Sequence, residues 1–211
     1  MFPRYIHEII GLFIGAEKKL PNLHGICCNN YQIEFMKKAL LFLLILTLTI
    51  SSYSQEVKAV KWYTIQEAEK LSKQSSRPIF IDTYTDWCGW CKKMDQETFT
   101  NPVIADILNN SFYPVKFDAE GNESIKFLDQ TYINDGKYGK AHQLAVALLQ
   151  GQLSYPTVVF LTKQDNKFSA SPVPGFRQPR EMEVLLSFFA NKAYETQGWE
   201  DFQKTFKGKI E

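Results

Sequence analysis

Residues 87–92 read Trp87-Cys88-Gly89-Trp90-Cys91-Lys92 and place two cysteines three positions apart. The apolar run before them, residues 78–85, predicts a buried strand, and the residues after them predict a helix that begins near Cys88. Cysteines with this spacing at a helix start can close a disulfide, and the unpaired N–H groups and positive dipole end there favour a thiolate. We therefore predict a redox pair in which Cys88 is the attacking thiol and Cys91 the resolving thiol.

A purely structural disulfide and half of a zinc site are the alternatives to a redox pair. A bridge across so few residues closes too small a loop to stabilise the fold much. Zinc takes about four ligands, and residues 55–211 contain no cysteine or histidine besides Cys88, Cys91 and His142. We therefore expect no metal site and no cofactor beyond the Cys88–Cys91 disulfide, and we interpret His142 as a surface residue of its helix.

Strands and helices alternate along the rest of the chain. Hydrophobic periodicity and turn signals predict the order βαβαβ, then an insert, then ββα, which implies an α/β layer fold with a mixed sheet. The predicted strands cover residues 57–63, 78–85, 112–118, 158–162 and 168–171. The predicted helices cover residues 65–73, 88–108 with a restart at Asn101-Pro102, 140–149, 179–194 and 199–206.

This pattern resembles the thioredoxin family over nearly all of residues 57–194. The matching positions are Trp87 before the first cysteine, Lys92 after the second, Asp82 as the family's buried carboxylate, Lys116 as the lysine beside it, Tyr155-Pro156-Thr157 as the cis-proline loop, and Gly175 ahead of the last helix. The runs 86–93 and 98–103 also resemble the periplasmic C-terminal domain of the transmembrane disulfide reductase and its secreted relatives. The resemblance implies a thioredoxin fold, with a mixed central sheet flanked by helices.

The resemblance also implies a proton-handling pair. As a buried carboxylate, Asp82 is expected to have a raised pKa and to relay a proton when Cys91 attacks a mixed disulfide. Lys116 is expected to tune that carboxylate. The structural alternatives are a hydrogen-bonded strand aspartate and a solvated lysine at a strand end.

A second group of matched residues is expected to bind the client. A cis bond before Pro156 would turn the Tyr155 backbone toward the cysteines, where it could pair with an extended client strand. Trp87 and Trp90, with Gly89 between them, would form an apolar collar around the client disulfide. An ordinary trans proline and two core tryptophans are the alternatives.

The sequence departs from the family in three ways. Gly89-Trp90 replaces the usual residues between the cysteines, and no histidine precedes Cys91. Because such a histidine strongly stabilises the thiolate in powerful oxidants, its absence favours a reducing or intermediate potential. The stretch between Lys116 and Pro156 is longer than in thioredoxins, which predicts a helical insert over about 121–152, and a short helical extension covers 195–211.

The N-terminal quarter predicts a targeting segment. Met36-Lys37-Lys38 precedes an uncharged apolar run over 39–50, and small residues lie one and three positions before a cut at Ser54–Gln55. This arrangement is typical of a signal peptide over 36–54. An uncleaved anchor is the alternative, but this run reaches only about 18 Å as a helix, against a hydrocarbon core of ~30 Å. We expect a periplasmic or otherwise extracytoplasmic domain over 55–211, and we interpret 1–35 as a start assigned too far upstream.

Composition excludes other classes of protein. The 211 residues carry 24 basic and 23 acidic side chains, so the net charge of +1 gives no global attraction for nucleic acid. A hydrophobic content of 45% fits an ordinary globular domain and disfavours a disordered chain.

These observations together predict a thiol–disulfide oxidoreductase that reduces disulfides of extracytoplasmic client proteins. Such a reductase needs electrons delivered across a membrane, so a membrane-bound donor is the second expected partner. Two other functions stay open. One is a thioredoxin-fold binding module whose disulfide is idle, and the other is a dithiol protein that handles Cu(I).

Overall fold

The structure, a computed structural model, describes residues 33–42, 59–75, 77–164 and 167–210. The chain divides into two compact units, Met1–Gln55 and Glu56–Glu211. The described part of the first unit is a helix over 33–42, and the predicted cleavage site at Ser54–Gln55 lies outside the described residues. Within the described ranges, no helix has the length and apolar character needed to cross a membrane.

The second unit contains strands and helices in alternation. Its strands are β1 (Ile79–Tyr84), β2 (Tyr113–Asp118), β3 (Ile125–Phe127), β4 (Gln130–Tyr132), β5 (Thr157–Gln164) and β6 (Lys167–Pro174). Its α-helices are α1 (Ile65–Gln74), α2 (Gly89–Glu97), α3 (Pro102–Ser111), α4 (Gln143–Leu148), α5 (Pro179–Ala190) and α6 (Trp199–Thr205). A capping box begins α1, since Thr64 and Glu67 hydrogen-bond each other's backbone N–H groups.

A four-stranded mixed sheet in the order β2-β1-β5-β6 forms the centre of this unit. β1 runs parallel to β2 and antiparallel to β5, and β6 pairs antiparallel with β5. The parallel pair is connected through α2 and α3, and α5 follows the β5–β6 hairpin. This topology confirms the predicted thioredoxin fold.

The sheet separates two hydrophobic cores. Because side chains alternate across a strand, β1 contributes Ile79 and Ile81 to a core with α1 and α4, and Phe80 to a core with α2, α3, α5 and α6. Asp82 follows Phe80 by two residues and therefore lies on the side of the sheet that α2 covers. Its position opposite Lys116 in the β1–β2 register places that lysine on the same side.

The predicted strand over 57–63 is wrong for the residues that the structure describes. Among residues 59–63, only Tyr63 forms a β-bridge, a parallel one with Val115. The Asn109 side chain takes the place of a strand partner, since it accepts the Lys61 N–H at 2.8 Å and donates to the Ala59 carbonyl at 3.0 Å. In place of the predicted edge strand, residues 59–63 therefore form a segment that is hydrogen-bonded to a side chain of α3.

The insert is helical only in part. It contains α4, as predicted, but also the unpredicted β3–β4 hairpin, whose turn residues Leu128 and Asp129 have φ values of 49° and 61°. Hairpin turns with a positive φ at both central residues usually have glycine or asparagine at those positions. Leu128-Asp129 lacks this pattern, so the sequence does not indicate the turn. Glu69 of α1 accepts the Leu128 N–H at 3.3 Å and supports the turn from the neighbouring helix.

Two further predictions are corrected. The last long helix ends at Ala190 rather than at 194, because Lys192 adopts a left-handed conformation (φ 53°) and a short 3-10 helix, Ala193–Glu195, follows. His142 is not a surface residue: it is 0% exposed and caps α4, with Nδ1 accepting the Leu144 N–H at 3.1 Å. Its Nε2 lies 2.9 Å from the Glu123 carbonyl oxygen, so both ring nitrogens are used inside the fold.

Candidate functional site

The two cysteines lie at the N-terminus of α2, where they form a disulfide with a Cα–Cα separation of 5.3 Å. Cys88 is the N-cap residue, and its Sγ accepts the Cys91 backbone N–H at 3.0 Å. Both side chains are nearly buried, at 4% exposed for Cys88 and 2% for Cys91. A sulfur in the N-cap position meets backbone donors that helix geometry leaves unpaired, and these donors stabilise a negative charge on Cys88 once the disulfide is reduced.

Gly89 borders open space next to Cys88. A Cβ atom built at this position would have no heavy atom within 4 Å. The glycine therefore presents bare backbone beside Cys88, and a side chain here would project into free space.

An ion network lies on the α2 side of the sheet. The Lys116 ammonium donates to Asp82 Oδ2 at 2.5 Å and also contacts the Asp95 carboxylate. Asp82 is fully buried, Lys116 is partly exposed, and Asp95 belongs to α2, four residues after Cys91. The network thus connects β1 and β2 to the helix that carries the cysteines.

The pKa values of this network follow from burial and charge. Burial raises the pKa of Asp82 to about 6, the Lys116 ammonium opposes that rise, and the Asp95 carboxylate adds to it. Burial acts to lower the pKa of Lys116, but the two carboxylates raise it above its ordinary value. Asp82 Oδ1 is buried and accepts no hydrogen bond from a described residue, which leaves that oxygen free to hold a proton. This shift has the direction predicted for Asp82.

Trp87 lies at the surface beside an acidic residue that immediately precedes the insert. Its indole N–H donates to Glu120 Oε2 at 3.1 Å, and its ring meets that of Tyr155 edge to face at 6.0 Å between centroids. Trp87 is 64% exposed, so it is not the core aromatic of the structural alternative. Burial raises the pKa of Tyr155, and the Glu120 and Asp118 carboxylates raise it further.

Trp90 is 58% exposed and has different neighbours. Its ring packs against Phe176 with 5.4 Å between centroids, and the Lys93 ammonium lies 5.2 Å from its centroid. The two tryptophans of the motif therefore have neighbours of opposite charge, a carboxylate beside Trp87 and an ammonium beside Trp90.

The predicted cis bond between Tyr155 and Pro156 is present. The Thr157 hydroxyl donates to the Ser154 carbonyl at 2.7 Å, and the Gly175 N–H donates to the Pro156 carbonyl at 2.8 Å. Gly175 has φ +94°, a conformation that glycine adopts without strain. The glycine is thus required where the chain leaves β6 and turns past the cis-proline.

The structure assembles the predicted residues in three groups: the cysteine pair, the Asp82–Lys116 pair, and the Trp87–Tyr155 contact next to Pro156. Three residues that contact these groups are not among those predicted from the sequence, namely Asp95, Glu120 and Phe176. An aspartate one helical turn after Cys91 was the available signal for Asp95, since positions four apart share a helix face. Glu120 and Phe176 reach the site from loops, and no spacing in the sequence indicated them.

Metal-ligand side chains do not gather elsewhere in the described part of the second unit: no group of three or more His, Cys, Asp or Glu residues there could hold an ion.

Comparison with protein families places most of the chain in one group. The model of the Thioredox_DsbH family, described as a protein of unknown function, DUF255, matches residues 46–204.

Individual relatives match over shorter stretches. The chain is 28% identical over 130 residues to the thiol:disulfide interchange protein DsbD of Vibrio vulnificus (strain CMCP6), which is 59% of this chain and 18% of that protein. It is 31% identical over 104 residues to an uncharacterized protein of Caenorhabditis elegans, 49% of this chain and 12% of the relative. The match thus spans less than a fifth of each of these relatives. A solved DsbH oxidoreductase aligns with a TM-score of 0.49 and 16% identity, covering 67% of this chain and 92% of that one.

Proposed function

The chain belongs to the Thioredox_DsbH family of thioredoxin-like proteins, and from that premise we propose that it is a thiol–disulfide oxidoreductase that reduces disulfides of extracytoplasmic proteins. The observation that carries the proposal is the position of Cys88 Sγ at the helix cap, where it accepts the Cys91 N–H at 3.0 Å. A helix start of this kind lowers the pKa of a thiol, and the thiolate is the species that attacks a disulfide.

In the proposed reaction the Cys88 thiolate attacks one sulfur of a client disulfide. A bond forms between Cys88 Sγ and that sulfur, and the other client sulfur leaves as a thiolate that takes up a proton. Cys91 then loses its proton and attacks Cys88 Sγ, which closes the Cys88–Cys91 disulfide and releases the first client sulfur. Two electrons pass from the cysteine pair to the client, and the proposed reaction uses no redox group beyond the two cysteines.

Asp82 is the proposed acceptor for the Cys91 proton. With a pKa of about 6, its carboxyl group is mostly ionised at neutral pH and can take up a proton without a large free-energy cost. Lys116 connects it to Asp95 on α2, so the proton would arrive beside a cation that keeps the carboxylate ionised between turnovers.

The direction of transfer, the location and the partners are part of the same proposal. No histidine precedes Cys91 to stabilise its partner's thiolate, which favours a reductant over a strong oxidant. The predicted signal peptide over 36–54 and the similarity to a thiol:disulfide interchange protein support work outside the cytoplasm. The oxidised pair would then be reduced again by the thiols of a membrane-bound donor.

The reduction potential of the Cys88–Cys91 pair tests the direction. Equilibration of the full chain with glutathione buffers of known ratio gives the potential directly. A value of about −270 mV supports a reductase, whereas a value of about −120 to −180 mV indicates an oxidant or isomerase. A pair that cannot be cycled at all would favour the binding-module alternative.

A matched pair of variants tests the order of the thiols. In the proposed reaction, Cys91→Ser retains the attacking thiol but cannot release the client, so it accumulates a mixed disulfide. Cys88→Ser lacks the thiol at the helix cap, and the remaining Cys91 lies within α2, so this variant should trap far less. Mass spectrometry after incubation with a disulfide-containing protein measures both. Equal trapping by the two variants would contradict the assigned roles.

A further inference from the structure

The surface beside Trp90 is built from two segments of the chain. Trp90 and Lys93 come from the first turns of α2, and Phe176 comes from the loop after β6. The Lys93 ammonium lies 5.2 Å from the Trp90 centroid and 5.5 Å from the Phe176 centroid, so one cation borders both rings. We call these three residues the aromatic shelf.

The loop that carries Phe176 is fixed on both sides. The Gly175 N–H donates to the Pro156 carbonyl at 2.8 Å, and the Thr98 hydroxyl donates to the Arg177 carbonyl at 2.6 Å. The Arg177 guanidinium donates to the Phe176 and Pro174 carbonyls at 3.0 Å each. A surface held in this way loses little conformational entropy when a ligand binds to it.

The chemistry of the shelf is aromatic and cationic. Trp90 is more than half exposed although it lies next to a reactive pair, and exposed tryptophans of this kind are the residues that dominate binding surfaces. Among the described residues, the ion-pair partner of Lys93 is Glu97, at a long 3.9 Å. Both side chains are about half exposed, so water screens that pair. The ammonium therefore remains available to a second carboxylate.

From this arrangement we infer that the aromatic shelf selects client segments in which a large aromatic side chain is followed or preceded by a carboxylate, close to the cysteine that Cys88 attacks. The client ring would pack on Trp90 and Phe176, and its carboxylate would meet Lys93. The inference rests on the proposed function, since it names the class of polypeptide that the oxidoreductase prefers. Lys93 and Phe176 are specificity residues in this account and take no part in the thiol chemistry.

The test uses peptides with one disulfide and two variable positions beside the reactive cysteine, in two series that place them before or after it. The variable pairs are Phe with Glu, Phe with Lys, and Ala with Glu. We expect wild-type protein to reduce the Phe–Glu peptide with a kcat/KM about fivefold higher than the Ala–Glu peptide, in line with the energy of aromatic pairs. Phe176→Ala should abolish that ratio, and Lys93→Glu should reverse the order of the Phe–Glu and Phe–Lys peptides.

The chain offers a matched control. Tyr138, in the insert, is a second exposed aromatic residue with a lysine over its ring, Lys137, at 5.3 Å from the centroid. Tyr138→Ala and Lys137→Glu remove the same types of group and should leave every peptide ratio as in the wild type. Peptide ratios within twofold of one another for the wild type in both series, or an unchanged ratio in Phe176→Ala, would overturn the inference.

A binding measurement separates the shelf from the redox chemistry. Thiol-free versions of the same peptides are titrated into the oxidised protein while the indole N–H resonance of Trp90 is followed by NMR. A shift of this resonance that is larger for the Phe–Glu peptide and lost in Phe176→Ala supports the shelf even where no peptide is reduced, an outcome that would refute only the proposed function. Reduction of all peptides without preference, and without a selective Trp90 shift, would refute only the shelf.

Discussion

The Lys116 ammonium lies 2.5 Å from Oδ2 of Asp82, directly across the parallel pair of β1 and β2. Asp82 is fully buried, and burial outweighs the attraction of the cation, since the pKa of Asp82 is raised to about 6 rather than lowered. The same ammonium contacts Asp95 on α2 and so divides its charge between two carboxylates. The fold therefore holds the Asp82 carboxylate beneath the helix that carries the cysteines, in a position where burial disfavours its ionised form.

Ionisation of Asp82 makes the free energy of unfolding depend on pH. The folded-state pKa of about 6 lies above the ordinary 3.8, so the folded state binds the proton more tightly. Stability is therefore lost as the pH rises from about 4 to about 6, and the cost above that range is about 3 kcal/mol. Asp82→Asn removes this ionisation and should be more stable than the wild type at pH 7.5, by up to this amount, but not at pH 4. Urea unfolding of the oxidised proteins at both pH values measures the difference.

Asp106 provides the control for that experiment. It is an exposed aspartate of α3 whose carboxylate accepts a hydrogen bond from the Asn110 amide at 2.7 Å. Asp106→Asn keeps an acceptor there and should change stability by less than about 0.5 kcal/mol at either pH. An Asp82→Asn protein that is less stable than the wild type at pH 7.5 would show that the Lys116 interaction outweighs burial.

Lys116→Met should move the titration of Asp82 upward. The cation is the group that holds the pKa of Asp82 down, against burial and Asp95. Without it the carboxyl group should titrate above the wild-type value of about 6 and be more fully protonated at neutral pH. NMR titration of the 13C-labelled Asp82 carboxyl group measures this midpoint in the oxidised protein. Lys126→Met, at an exposed lysine of β3, should leave it in place, and an unchanged midpoint in Lys116→Met would contradict the assigned contact.

The relation between Asp82 and Lys116 was predictable from the family resemblance. The parallel register of β1 and β2 explains it, since it brings these two positions to one face of the sheet. The cis bond before Pro156 was predictable from the same resemblance, which linked a short motif to a defined backbone. The family motif was therefore sufficient for both features.

The insert was less predictable because its contacts are neither periodic nor local. β3 and β4 have three residues each, too few for an alternation to be recognised. The expectation that His142 is exposed is wrong because its buried ring has two backbone hydrogen-bond partners, which satisfy both ring nitrogens inside the fold. Glu120 and Phe176 depend on loop conformations that bring residues from distant parts of the chain to the cysteine motif.

His142 should matter for stability rather than for the thiol chemistry. His142→Ala removes the N-cap of α4 and leaves the Glu123 carbonyl without its ring partner, and we expect a loss of about 2 kcal/mol. His142→Asn restores a favoured capping side chain and should recover about half of that loss. Urea unfolding of both variants measures the order. Equal losses in the two variants would show that the volume of the ring, not its hydrogen bonds, stabilises this position.

Asn134 should control the stability of the insert. Its side-chain amide donates to the Lys140 carbonyl at 2.9 Å and to the Glu120 and Gly121 carbonyls at 3.2 Å each. One amide group therefore connects the two ends of the segment 120–140. In Asn134→Ala the neighbouring backbone bond from the His142 N–H to the Ala119 carbonyl, 2.7 Å, should open more readily.

We expect the amide of His142 to exchange about tenfold faster in Asn134→Ala, which corresponds to a loss of about 1.4 kcal/mol in local opening free energy. Amides in the centre of β1 and β5 should keep their wild-type rates, since their hydrogen bonds lie within the sheet. Hydrogen exchange followed by NMR measures both sets in one experiment. Asn122→Ala, at an exposed asparagine of the same insert, serves as the control. Acceleration of the sheet amides together with His142 would mean that Asn134 stabilises the whole fold, and equal acceleration in Asn122→Ala would remove the special role of the Asn134 amide.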